Sequence, residues 1–273
     1  MKPIALQLYS VRQEAQADFE ETLRTVASYG YDGVEFAGFY GHSAQDVRAM
    51  LEECGLRAVS SHVALKLIEA DMQGVIDYHK AIGCDYIAVP YLSTEQRPGT
   101  PAFAGVLRTI YQFGCLCRDN GIQLLYHNHD FEFVSFSGMY ALDFLYAAMP
   151  EDVLKTEIDV CWVKYAGEDP AAYLRKYAGR APVVHLKDFV GRKEGDAAPY
   201  GLLGQSETKA AGEVPFEFRP VGYGCQDVSA VAEAGLDAGA KWFVVEQDAS
   251  VGRTPLEAAA MSIDTLRKIG LKG

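Results

Sequence analysis

The chain has 273 residues, 49% hydrophobic and 23% charged, an ordinary globular balance that excludes a fibrous or low-complexity protein. Its net charge of −12 argues against a nucleic-acid partner, which needs a basic footprint, but leaves room for a small anion in a local positive pocket. The six cysteines are scattered without a CxxC pair, so they read as small buried hydrophobes rather than zinc ligands or a disulfide framework. The start lacks secretion-signal grammar and no apolar run approaches the ~20 residues of a membrane span, so the expectation is a cytoplasmic protein with no membrane partner.

In chain order, "IALQLYSV" (residues 4–11) is the first β-rich run. "DFEETLRTVASYG" follows with helical spacing, Asp18 as N-cap, Glu21 three residues on and Gly30 as the stop. After "GVEF" (33–36), "SAQDVRAMLEECG" repeats this grammar with Ser43 and Gly55. The remaining strand candidates are "RAVSSHV" (57–63), "YIAVP" (86–90), "IQLLYHNH" (122–129), "LKTEID" (154–159), "APVVHLKD" (181–188) and "WFVVEQD" (242–248). Eight strands, each followed by a helix-like segment, predict an α/β fold: a single (β/α)8 TIM barrel spanning residues 1–273. The competitor, a doubly wound open sheet, usually has fewer strands, and no GxGxxG follows the first one here. One segment breaks the rhythm. Residues 189–225 are glycine-rich, carry Arg192, Lys193 and Arg219, and are expected to form a long loop over the C-terminal face of the barrel.

In such a barrel the chemistry sits at the C-terminal strand ends. Those ends carry Glu35, His62, His127 and His129 with Glu132 beyond, then Glu157 and Asp159, then His185, Lys187 and Asp188, and finally Glu246 and Asp248. Carboxylates converging in a barrel mouth repel one another unless a cation compensates. One divalent metal ion is the economical answer, and Asp, Glu and His ligands suit Mn, Mg, Co or Zn without choosing among them. Residue by residue, bland readings compete. Glu157 is equally a paired structural charge, His185 a satisfied core histidine, Lys187 a salt-bridge partner, and His62 and Glu35 helix-capping groups.

"LQLYSVR", "GYDGVEFAGFYG", "SSHV", "YHNHDFEF", "EIDVCWVKYAGEDP", "VVHLKD", "VGYG" and "VVEQD" fall in order along nearly the whole chain. Together they resemble the sugar phosphate isomerase/epimerase family of the xylose isomerase-like TIM-barrel superfamily. The resemblance implies a metal held by a Glu, an Asp, a His and a second Glu from strands five to eight. Asp159, His185 and Glu246 match the last three. At strand five the pattern departs: His127 stands where the epimerases carry the Glu, and Glu132 lies five residues on. Glu132 is the expected ligand, with His127 as the alternative. His129 matches a histidine base of related dehydratases. Trp162 replaces a substrate-contacting histidine, so either a sugar ring lies on it or it is a packed core residue.

The implied chemistry is proton abstraction next to a carbonyl through an enediolate, on a sugar, sugar phosphate or related polyol ketone. Glu246, His127 and His129 are the candidate acid/base groups. His62, Lys187, Trp162 and Glu35 are the candidate substrate contacts. An inosose or keto-sugar dehydratase or lyase is the alternative, a non-catalytic sugar-binding barrel the second. A DNA-repair endonuclease on the same fold would need basic gripping loops that this charge does not suggest. The expected partner is a small carbohydrate, and a homo-oligomer is left open.

Overall fold

The structure, a computed structural model, describes residues 2–191 and 215–273. Its main sheet has eight strands: β1 (Ile4–Gln7), β2 (Gly33–Phe36), β3 (Arg57–Ser61), β4 (Tyr86–Val89), β5 (Gln123–His127), β6 (Lys155–Asp159), β7 (Val183–Leu186) and β8 (Trp242–Val245). Every pairing is parallel, in the order β3-β2-β1-β8-β7-β6-β5-β4. The two edges meet just past β3, where a parallel bridge joins His62 to Ala88 and Val63 N donates to Ala88 O at 2.9 Å. Helices such as Phe19–Ser28, Ala44–Cys54, Phe103–Asp119 and Pro255–Lys268 cover the outside. This is the expected TIM barrel, nearly closed.

The strands are shorter than the apolar runs that announce them. β1 stops at Gln7 because its side-chain oxygen accepts from Tyr9 N at 3.0 Å, turning Leu8–Val11 into a 3₁₀ helix. Side-chain capping replaces ladder bonds at the helix starts too. Asp18 accepts from Glu21 N at 3.0 Å and Ser43 from Asp46 N at 3.2 Å, and Gly55 ends its helix with φ +68°. Beyond β5 the chain makes a 3₁₀ turn, Phe131–Phe133, and a small hairpin, Ser135–Phe136 with Met139–Tyr140, that the sequence pattern does not announce.

Most of the expected 189–225 loop, with Arg192 and Lys193, lies outside the described residues, as does its expected position over the mouth. Its two described ends pair as an antiparallel ribbon, Asp188–Val190 with Glu217–Arg219. Asp188 ties them down by accepting from the backbone N–H of Phe189, Gly222, Gly224 and Gln226 at 2.9–3.0 Å.

Alternation along the strands sorts the core. One set of side chains, including Leu6, Val34, Ile87, Leu124, Ile158, Val184 and Phe243, packs outward against the helices. The other fills the barrel base with Ala5, Val59, Ala88, Leu125, Val183, Trp242 and Val244. Each fully buried Val, Leu or Phe contributes about 1.5–3 kcal/mol, so this double layer tolerates a polar storey above it. All six cysteines are free thiols. Among the described residues, no helix is long and apolar enough to cross a membrane.

Candidate metal centre

Two residues beyond most of the base side chains, the same strands turn polar. Ala5 is followed by Gln7, Leu125 by His127, Val183 by His185 and Val244 by Glu246. A further step of two reaches His129, Lys187 and Asp248, while β6 contributes Glu157 and then Asp159. Strand register brings them level: His127 pairs with Glu157 and Asp159 with His185. All are buried. The period of two that makes a strand therefore stacks two polar storeys on an apolar floor.

In the upper storey the Lys187 ammonium lies 2.9 Å from Asp248 Oδ2, 3.0 Å from Glu246 Oε2 and 3.6 Å from Asp159 Oδ2. It also faces the rings of Trp162 and Phe218, with its nitrogen 5.2 and 5.0 Å from their centroids. In the lower storey His62 Nε2 sits 2.8 Å from Glu157 Oε2 and 3.0 Å from Glu35 Oε1. His185 spans both, with Nδ1 3.1 Å from Glu246 Oε2 and Nε2 2.8 Å from Glu35 Oε1. His127 does likewise, with Nε2 3.7 Å from Asp159 Oδ2 and Nδ1 3.3 Å from Glu157 Oε2. Two overlapping groups of metal-ligating atoms result, each within 4.8 Å: His127, Asp159, His185 and Glu246, and His62, His127, Glu157 and His185.

The pattern of the family described as xylose isomerase-like TIM barrel matches residues 23–269. The chain belongs to that family. No curated protein sequence matches it significantly. Among solved structures, a sugar phosphate isomerase/epimerase from Parabacteroides distasonis ATCC 8503 superposes with a TM-score of 0.78 at 24% identity, with 100% of both chains covered. The IOLI protein with a bound zinc atom reaches 0.74 at 15% identity, covering 100% of this chain and 99% of that one. The probable 3-DHS dehydratase AsbF from Bacillus anthracis reaches 0.70 at 12% identity, covering 98% and 99%. These likenesses share the barrel, and the family and its neighbours are mostly enzymes.

Within this family member, Asp159, His185 and Glu246 stand together as the resemblance implies, and the strand-five position in their group is taken by His127. Glu132 belongs to neither group. It is fully buried in the 3₁₀ turn, where its oxygens accept from Tyr126 Oη at 2.6 Å and from His129 N at 2.8 Å. Burial pushes its carboxyl up to about 8. It therefore anchors the backbone of His129 instead of facing the cluster. Trp162, a candidate sugar platform, is fully buried and packed by His129, Tyr165, Phe216 and Phe218. Enclosed by these rings and with the Lys187 ammonium over its face, it stands as a wall behind Lys187. Glu35 and His62, candidate substrate contacts, pair instead with the lower storey. Glu157, Asp248 and Asn128 are the residues that spacing undervalues. Asn128 accepts from Asp159 N at 2.9 Å and donates to Asp159 O at 3.3 Å, clasping the ends of β5 and β6.

The donor set fits a divalent ion. Asp159 Oδ1 caps the helix Val160–Tyr165 by accepting from Cys161 N and Trp162 N. Its Oδ2, aimed into the cluster, takes no hydrogen bond among the described residues. Burial, with like charge from Glu246 and Asp248, pushes Asp159 up to about 7 despite Lys187. Burial likewise raises Glu157, helped by Glu35, and raises Asp248. Burial would lower His62, His185 and Lys187 also, but their carboxylate partners outweigh it, taking His62 up to about 10 and raising the other two. Lys187 and His185 overcome burial to hold Glu246 well below the carboxylate range. Five carboxyl groups thus face three basic groups, and the three acids that burial raises are those a divalent ion would relieve. A divalent ion entering in exchange for the His185 proton makes the cluster less negative by one charge. His127 is kept neutral by burial and by the charge of His185, as a ligand must be.

Proposed function

We propose that the protein is a divalent-metal-dependent isomerase or epimerase that removes the proton next to the carbonyl of a sugar, a sugar phosphate or a related polyol ketone. The observation that carries this reading is geometric: ligand atoms of His127, Asp159, His185 and Glu246 lie within 4.8 Å of one another at the C-terminal strand ends, with the buried Lys187 ammonium 3.0 Å from Glu246 Oε2. His127, Asp159, His185 and Glu246 would hold the ion, which supplies Lewis-acid polarisation of the carbonyl when bound.

His129 is the base. Burial, reinforced by Lys187, keeps it unprotonated. Its ring is fixed between stacked neighbours, Phe131 at 5.5 Å and 12° and Trp162 at 5.3 Å and 28°, and the Arg97 guanidinium lies 3.9 Å over Phe131. Glu132 holds its backbone. His127 is less suited, since both of its ring nitrogens face carboxylates. As His129 takes the C–H proton, negative charge develops on the former carbonyl oxygen, and Lys187 neutralises it without reorganisation because its own position is already fixed. Return of the proton to the neighbouring carbon gives isomerisation, and delivery from the opposite face, the role open to Glu246, gives epimerisation. A second reading keeps the same first step and ends in loss of a β-hydroxyl, which departs as water with the proton that His129 took from carbon, as in dehydration of an inosose or keto-sugar.

Exchange of substrate C–H with D₂O across a panel of ketoses tests the shared step without assuming a product. Metal-loaded protein is expected to wash deuterium into the carbon next to the carbonyl, and His129→Asn to slow this by about 10²–10⁴-fold. Full exchange in chelator-stripped protein or in His129→Asn would refute the reading. Sugar binding without exchange would leave a binding barrel.

A further inference from the structure

We propose that Glu35, Glu157 and His62, one storey below the ion, are positioning residues that orient His127 and His185 toward it. The inference rests on the metal-dependent reading above.

An imidazole offers a metal one lone pair, and its other nitrogen then carries a proton whose acceptor sets the ring's orientation. Here the two storeys divide the nitrogens cleanly. His127 turns Nε2 to Asp159 above and Nδ1 to Glu157 below, whereas His185 turns Nδ1 to Glu246 above and Nε2 to Glu35 below. The two carboxylates beneath are therefore the proton acceptors that leave Nε2 of one ring and Nδ1 of the other for the ion. Neither lower contact is aligned as a full hydrogen bond, so a small ring rotation on metal loading would complete both.

His62 holds the acceptors in place. Its Nε2 reaches both, hydrogen-bonded to Glu157 and in ion-pair contact with Glu35, and its ring stacks on His185 at 5.4 Å and 9°. From β1, Gln7 Nε2 donates to Glu35 Oε1 as well. The glutamates and Gln7 are fully buried, so losing a partner leaves a desolvated polar group.

The lower storey has the composition of a second cation site, but chemistry speaks against one. Filling both four-residue groups at once would require both nitrogens of His127 and His185 as ligands, each ring deprotonated to imidazolate. His62 Nε2 already sits between the two glutamates, 2.8 Å from Glu157 Oε2 and 3.0 Å from Glu35 Oε1, where a second ion would have to lie.

Cobalt(II) is the probe, because its visible absorption reports ligand geometry independently of turnover. The whole chain is expected to bind one Co(II), counted by native mass spectrometry. Glu157→Gln, Glu35→Gln and His62→Leu should each weaken Co(II) binding about 10–100-fold and shift its visible bands, with the far-UV circular dichroism unchanged. His62→Gln, which keeps an N–H donor, should recover most of the affinity. If the buried Glu variants fail to fold, the His62 pair decides alone, since that side chain is the least enclosed of the layer, at 10% exposed. Unchanged affinity and bands in His62→Leu would overturn the inference while leaving the metal reading intact. Two ions per chain, the second lost in His62→Leu, would overturn it in favour of a second site. No Co(II) bound by the unsubstituted chain would overturn both readings.

Discussion

Replacing Glu132 by glutamine exchanges a buried carboxyl for an amide of nearly the same shape. Its amide oxygen can still accept from His129 N, and its nitrogen can donate to Tyr126 Oη. In the unfolded chain the carboxyl titrates near 4.5, whereas in the fold burial pushes it up to about 8. A raised folded value means that the fold prefers the protonated acid. The group therefore costs no stability below about pH 4.5, and the cost grows as pH rises from there toward 8. At about 1.4 kcal/mol per pH unit, it reaches on the order of 3 kcal/mol at pH 7, or roughly 10 °C in Tm for a domain of this size. Thermal unfolding of metal-free protein across this range should show Glu132→Gln melting well above the parent at pH 7–8, with the two curves converging near pH 5. The variant should also keep its metal, because His127 holds the strand-five position. A Tm difference that does not vary with pH would refute the burial argument. Loss of the ion would restore Glu132 as a ligand.

Three further outcomes follow from the same geometry. Lys187→Met leaves Asp159, Glu246 and Asp248 without their shared ammonium, so metal-free protein should lose about 3–5 kcal/mol by denaturant titration, and excess Zn(II) should restore much of it. Asp159→Asn and Glu246→Gln should abolish deuterium exchange and metal retention while leaving the fold intact by circular dichroism; full activity in either would displace the site. Gly224→Ala places a methyl against Asp188 and the carbonyl of Phe189, so the ribbon's anchor should weaken by about 1–3 kcal/mol, read as a lower Tm.

Some of the site was legible because strands write their faces in steps of two. His185 and Glu246 follow Val183 and Val244 at that step, which marks them as inward and upward, and Asp159 ends a strand whose inward step is already charged at Glu157. Glu157 and Asp248 obey the same step, yet a charge two residues from a stronger candidate is easily read as its structural companion. Glu132 was less accessible. It lies past the end of β5 in a 3₁₀ turn, where no period says which way a side chain points, and the turn folds it back onto Tyr126 and the His129 amide. Trp162 sits one turn beyond Asp159, and its environment is set by Phe216 and Phe218, more than fifty residues away.

The sequence by itself determined the barrel, the family and the rim at which titratable groups gather. All three follow from local alternation, from caps such as Asp18 and Ser43, and from motifs in chain order. Only the tertiary structure decided which nitrogen of His127 and His185 faces which carboxylate, that Lys187 lies among three acids, and that His62 and Glu35 belong beneath the cluster. Those choices depend on register between β2, β5, β6, β7 and β8, and on through-space charge across the barrel. Neither is encoded by any one segment.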